Sequence, residues 1–283
     1  MGKVSGFVRL MRPINCTMMG FAVFVGAVLA NPQFSSSNWL NILYGFVTGF
    51  MLTAASMSIN DYYDRAIDAI NEPSRPIPSG SVGAREALAF VSFLSAVGFV
   101  FAYLTSVLCL VVALLSWIIV VTYVTVGKRS GLPGNFLVST CVAIPFIYGS
   151  ITVVNQVQLS VLLFALMAFL SNTGREITKG IVDVNGDRAG GVKTLAVRYG
   201  EKNAAVAASI FYISAVALTP LSLIFDIVTF WFVPLVLVTD IGLTASCFLL
   251  LRDYSRENAR KIKKMILLWF VIGLLAYVFG VFK

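Results

Sequence analysis

Nine runs of apolar residues, separated by short charged or turn-forming segments, fill most of this chain. They cover about 14–31, 39–60, 84–105, 107–126, 136–154, 158–174, 203–224, 228–250 and 262–282. A helix needs roughly 20 apolar residues to cross the hydrocarbon of a bilayer, where its backbone must satisfy its own hydrogen bonds. Each run is therefore predicted to be a transmembrane helix. The third and fourth runs form one stretch, expected to fold as two spans joined by a tight turn at Thr105 and Ser106. Strands of a membrane barrel alternate polar and apolar residues, so continuous runs exclude a barrel. Hydrophobic residues make up 58% and charged residues 12% of the 283. That balance is too apolar for a soluble enzyme or a disordered chain. The predicted class is an all-α polytopic membrane protein.

Lys and Arg placement predicts the orientation. With nine spans and a cytoplasmic N-terminus, the inner segments are 1–13, 61–83, 127–135, 175–202 and 251–261, with Arg85, Lys263 and Lys264 at adjoining helix ends. All basic residues except Lys283 then lie inside, so function is expected on the cytoplasmic face. The net charge of +8 follows from this insertion bias and needs no nucleic acid. The first run lacks a small-residue cleavage site and continues into Asn31-Pro32, so no cleavable signal is expected. The chain has no histidine, which excludes imidazole catalysis and His-ligated haem or zinc. Cys16, Cys109, Cys141 and Cys247 sit singly in apolar runs and read as inert buried thiols.

More than half of the 13 acidic residues fall in two clusters, after the second and the sixth run. The first is Asn60-Asp61-Tyr62-Tyr63-Asp64-Arg65-Ala66-Ile67-Asp68, followed by Glu72. If the second helix continues past the membrane, Asp61, Asp64 and Asp68 share a stripe about 60° wide, with Asn60 beside it. The second runs from Arg175-Glu176 through Lys179-Gly180 to Asp183-Val184-Asn185-Gly186-Asp187. On the same construction Glu176, Asp183 and Asp187 fall within about 40°. Three carboxylates on one stripe repel unless a positive charge lies among them, and a hard divalent cation with oxygen ligands answers that need. Two such sites with flanking cations suit a diphosphate, with Arg75, Lys128, Arg129, Lys179, Lys193 and Arg198 as candidates for its oxygens. The clusters suggest one domain, 1–283, of two related halves, about 1–135 and 136–283.

Over nearly its whole length the chain resembles the UbiA-type intramembrane prenyltransferases. Asn60-Asp61-x-x-Asp64-x-x-x-Asp68 is similar to that family's first aspartate-rich motif, and Asp183-x-x-x-Asp187 to its second. The resemblance implies nine helices around a central cavity under a cytoplasmic cap. It also implies Mg2+ on Asp61, Asp64, Asp68, Asp183 and Asp187, which bind and activate an isoprenyl diphosphate donor. Asn60, Arg75, Lys128, Lys179 and Lys193 would contact the diphosphate, with Glu176 assisting. A lipophilic acceptor would enter from the bilayer. Within the family, the run from Asn60 to Gly80 and the stretch Lys193-Thr194-Leu195 with Tyr199-Gly200-Glu201-Lys202 are most similar to archaeal digeranylgeranylglyceryl phosphate synthases. This implies geranylgeranyl transfer to geranylgeranylglyceryl phosphate, making the second ether of archaeal membrane lipids. Two departures stand out: Gly180 occupies a place where many relatives carry an acid, and the spacing from Tyr123 to Lys128 is one residue longer.

Among the remaining residues, Asp240 lies mid-span in the eighth run and is expected to be a hydrogen-bonded structural acid. Arg9 and Arg12, before Pro13, are expected to anchor the first span, with contact to a phosphorylated acceptor the alternative, and Asn135 to cap the fifth span or to join the polar cap over the site. Two rival functions have their own signatures. Prenylation of an aromatic ring for quinone synthesis would use the same donor site. A secondary transporter would place its coupling acids near the bilayer midplane rather than at helix ends.

Overall fold

The computed structural model describes residues 2–33 and 38–281. Residues 34–37 of the first expected outer loop, and Lys283, lie outside the described residues. The chain forms helices α1 (Lys3–Met11), α2 (Pro13–Ala30), α3 (Trp39–Asn71), α4 (Ala84–Thr105), α5 (Val107–Thr125) and α6 (Leu132–Val154). These are followed by α7 (Leu159–Val182), α8 (Val184–Ala189), α9 (Leu195–Leu218), α10 (Leu221–Ile224), α11 (Phe232–Arg252) and α12 (Arg256–Val281). No strand occurs among the described residues. The expected turn is Ser106 alone, whose hydroxyl accepts the Cys109 amide at 3.0 Å and so starts α5 as α4 ends.

Each predicted run holds a helix among the described residues, although the run at 203–224 is divided between α9 and α10 and the run at 228–250 becomes helical only at Phe232. Eight helical segments among the described residues are long and apolar enough to cross a membrane. The run at 158–174 differs: it forms α7, whose second half carries Asn172, Thr173, Arg175, Glu176 and Lys179. Asn172, Thr173 and Thr178 are buried and hydrogen-bonded inside the protein, so this half is solvated by neighbouring helices rather than by lipid. α3 extends well past its apolar run. At 1.5 Å per residue its 33 residues are about 50 Å long, against roughly 30 Å of hydrocarbon, so its last turns emerge as helix. Asn135 is not a cap. α6 starts at Leu132, with Pro133 in its first turn where a missing N–H costs nothing, and the Asn135 amide already bonds back to the Gly131 carbonyl at 3.1 Å.

The helices gather into two compact units: residues 1–125 with 144–157, and residues 126–143 with 158–283. α6 belongs to both, and Pro145 lies beside the change of unit. In the first unit, Cys16, Ala54, Ala55, Ile59, Val91 and Leu94 form one buried cluster that includes the root of the first acidic motif. In the second, the small residues Ala204, Ala205 and Ala208 let α9 approach α7, and the buried Tyr212 ring packs over Gly174. The Tyr212 hydroxyl is 3.0 Å from the Thr178 hydroxyl, which gives the buried phenol its polar partner. All four cysteines are free, three of them buried.

Candidate active site

In the first unit the emergent end of α3 carries Asn60, Asp61, Asp64 and Asp68 on one helix, as the periodicity requires. Asp61 and Asp68 are buried. Three buried or half-buried carboxylates repel unless cations join them, and two guanidiniums do. Arg75 Nη1 lies 2.6 Å from Asp68 Oδ2 and 3.4 Å from Asp61 Oδ1. Arg12 Nη2 lies 2.5 Å from the same Asp61 oxygen. The Asn60 amide donates to Asp64 Oδ2 at 3.0 Å and orients it. Arg75 reaches back because the segment after α3 folds into turns, with the Arg75 amide on the Glu72 carbonyl and the Val82 amide on the Pro76 carbonyl. The expectation for Arg12 is an interfacial anchor or a contact to a phosphorylated acceptor, not a partner for Asp61; a guanidinium brought from 49 positions away leaves no local signal.

In the second unit the helix breaks at the second motif. α7 ends at Val182, Asp183 has φ −99° and ψ 7°, and Asp187 lies on the short α8. The single-helix stripe for Glu176, Asp183 and Asp187 is thus corrected. The break is slight, because the Asp187 amide still bonds the Asp183 carbonyl at 2.9 Å and keeps the two carboxylates neighbours. Burial pushes the Asp187 carboxyl up to about 6, and the Asp183 charge pushes the same way. Lys179, a hydrogen bond from Thr194 and Lys128 pull it down. Lys128 and Lys179 therefore act on the second motif. Glu176 instead pairs with Arg175 at 3.3 Å and Lys179 at 3.2 Å. Lys128 sits in a 3-10 turn, Gly127–Arg129, locked to the loop of Lys193: the Lys193 amide bonds the Arg129 carbonyl at 3.4 Å. Gly131 makes this approach possible. Its φ is +77°, and a Cβ there would lie 2.3 Å from the Lys193 carbonyl oxygen. Lys193 itself is exposed. Thr194, known from the sequence only as part of the Lys193-Thr194-Leu195 stretch, accepts the Val197 amide at 3.4 Å and caps α9.

These two motifs carry the resemblance, and the comparisons decide it. The profile of the UbiA prenyltransferase family matches residues 19–278. The chain belongs to the UbiA prenyltransferase family. It is 38% identical to the digeranylgeranylglyceryl phosphate synthase of Archaeoglobus fulgidus, covering 96% of this chain and 94% of that protein. A solved structure from work on digeranylgeranylglyceryl phosphate synthase in membranes superposes with a TM-score of 0.85 at 30% identity, over 99% of both chains. A UbiA homologue from Archaeoglobus fulgidus, solved bound to GPP and Mg2+, superposes with a TM-score of 0.67 at 18% identity, over 96% of this chain and 99% of that one. As a UbiA-family protein with many apolar helices, the chain is a multi-pass membrane prenyltransferase.

Among the described residues no three acidic or cysteine side chains converge tightly enough to enclose a metal ion. The donor set nevertheless fits a hard divalent cation. Asp61, Asp64 and Asp68 offer only oxygen, and Asp61 already draws two guanidiniums onto one oxygen. Asp240 sits on α11 in the second unit, inside a membrane-length helix as expected. Its Oδ2 is 2.7 Å from the Thr219 hydroxyl, while its buried Oδ1 has no hydrogen-bond partner among the described residues.

Proposed function

We propose that this chain transfers a geranylgeranyl group from geranylgeranyl diphosphate to the free glycerol hydroxyl of geranylgeranylglyceryl phosphate, forming an ether. The observation that carries the reading is two oxygen-rich motifs interleaved with cations, in a chain alike over its full length to synthases of that name. Asp61, Asp64, Asp68, Asp183 and Asp187 hold Mg2+, with Asn60 and Glu176 orienting neighbours. Magnesium, when bound, supplies the charge that stabilises the departing diphosphate. Arg75, Lys128, Lys179 and Lys193 offer donors to the diphosphate oxygens. The motifs face the cytoplasm, where the excess of Lys and Arg also attracts the acceptor phosphate.

The donor's allylic carbon–oxygen bond breaks with its electron pair on the diphosphate. The glycerol oxygen bonds that carbon and passes its proton to the departed diphosphate, which leaves as protonated pyrophosphate. A glycerol hydroxyl is a weak nucleophile and no histidine exists to deprotonate it, so bond breaking leads and proton loss follows. The preorganised cations are thus the main source of rate, stabilising charge that grows as the bond breaks. Purified protein, magnesium and geranylgeranyl diphosphate, incubated with geranylgeranylglyceryl phosphate or with hydroxybenzoate, are expected to yield only the diether and magnesium-dependent pyrophosphate. Prenylated hydroxybenzoate alone would overturn the acceptor. Absence of pyrophosphate release with both acceptors would overturn geranylgeranyl diphosphate as the donor.

A further inference from the structure

Arg12 occupies an unusual backbone position. It closes α1, precedes Pro13 at the start of α2, and has φ 53° and ψ 70°. The other non-glycine residues with positive φ among the described ones are Asn155 and Asp226, types that tolerate this region. An arginine gains no such local compensation, and a following proline narrows its choices further. Tertiary contacts hold it there. Nη2 reaches Asp61 Oδ1 and Nη1 lies 3.7 Å from Met57 Sδ. α1 is secured separately: Leu10 is buried with Val82 and Ala87, the Phe7 ring packs tilted against Phe90 with ring centres 4.9 Å apart, and Lys3 pairs with Glu86.

The two arginines on Asp61 differ in one respect. Arg75 has a second carboxylate, Asp68, at 2.6 Å; Asp61 is the one carboxylate that Arg12 contacts among the described residues. A cation arriving at Asp61 would leave Arg75 paired and Arg12 unpaired. We propose that Arg12 is an exchangeable counter-ion: it neutralises Asp61 in the metal-free protein, yields that oxygen to the metal, and then presents its freed guanidinium to anionic phosphate oxygens of a substrate. The inference rests on reading Asp61 as a magnesium ligand. The side chain is about one-third exposed and α1 is anchored elsewhere, so the exchange needs only rotation of the arginine and no departure of the helix.

The exchange predicts opposite signs for two affinities, which a merely structural arginine would not produce. Mg2+ binding to purified full-length protein without donor is measured by titration calorimetry, and geranylgeranyl diphosphate binding at saturating Mg2+ likewise. Arg12→Gln is expected to bind Mg2+ about five- to tenfold more tightly and the donor about tenfold more weakly. Arg12→Gly, which adopts the left-handed conformation without strain, is expected to do the same and serves if the glutamine variant does not fold. Unchanged or weaker Mg2+ binding in whichever variant folds, with Asp61→Asn losing Mg2+ binding, overturns the exchange alone. Wild-type protein that binds no Mg2+, or Asp61→Asn that binds it as wild type does, overturns the magnesium reading beneath it.

Discussion

Replacing Arg75 by methionine keeps much of its apolar stem and removes the guanidinium that joins two buried carboxylates. Asp68 has 9% and Asp61 5% of its side chain exposed, while Arg75 has 32%. Asp61 keeps Arg12; Asp68 loses the one cation that contacts it among the described residues. Breaking a fully buried pair by deleting one partner costs about 3–5 kcal/mol. Solvent reaches Arg75, so screening lowers the expected loss to about 1–3 kcal/mol. In detergent with EDTA, Arg75→Met is expected to melt several degrees below wild type. Adding Asp68→Asn, which removes the stranded charge while keeping the shape, is expected to recover at least half of the loss. Added Mg2+ is expected to narrow the difference in the single variant by supplying the missing charge. A single variant that melts with wild type, or a double variant no more stable than the single, would refute the account of Arg75 as the counter-ion of Asp68.

Asp64→Ala is expected to leave the melting temperature nearly unchanged and to lower turnover by orders of magnitude, measured as pyrophosphate release. Lys128→Ala is expected to weaken donor binding clearly, read by calorimetry at saturating Mg2+; unchanged affinity and turnover would leave Lys128 as an insertion signal only. For Asp187 the sign runs one way: its carboxyl is raised to about 6 from 3.8, so folding disfavours its charged form above that pH, and the penalty fades as pH falls through 6 towards 3.8. Metal-free Asp187→Asn is therefore expected to melt above wild type at pH 8, and wild-type Mg2+ affinity to fall as pH drops below about 6. Gly131→Ala drives a Cβ toward the Lys193 carbonyl and is expected to lower both melting temperature and turnover, whereas a wild-type profile would show that the two loops need not touch.

Much of this architecture follows from the sequence because its causes are local or periodic. Apolar runs of bilayer length must become helices whatever surrounds them, and 100° per residue is enough to set Asp61, Asp64 and Asp68 on one stripe of α3. The same rule misread Asp183, because a helix ends where its neighbours and following turns favour an end, and no local pattern marks that site. Tertiary structure alone decided that the polar half of α7 is buried against protein, that Gly131 admits the Lys193 loop, and that Arg12 closes on Asp61. Each of these joins residues distant in the chain. Acidic clusters announce that cations must come, since like charges cannot stay close and dry. Which cations come depends on which helix ends the packing brings within reach, and that is a property of the folded chain.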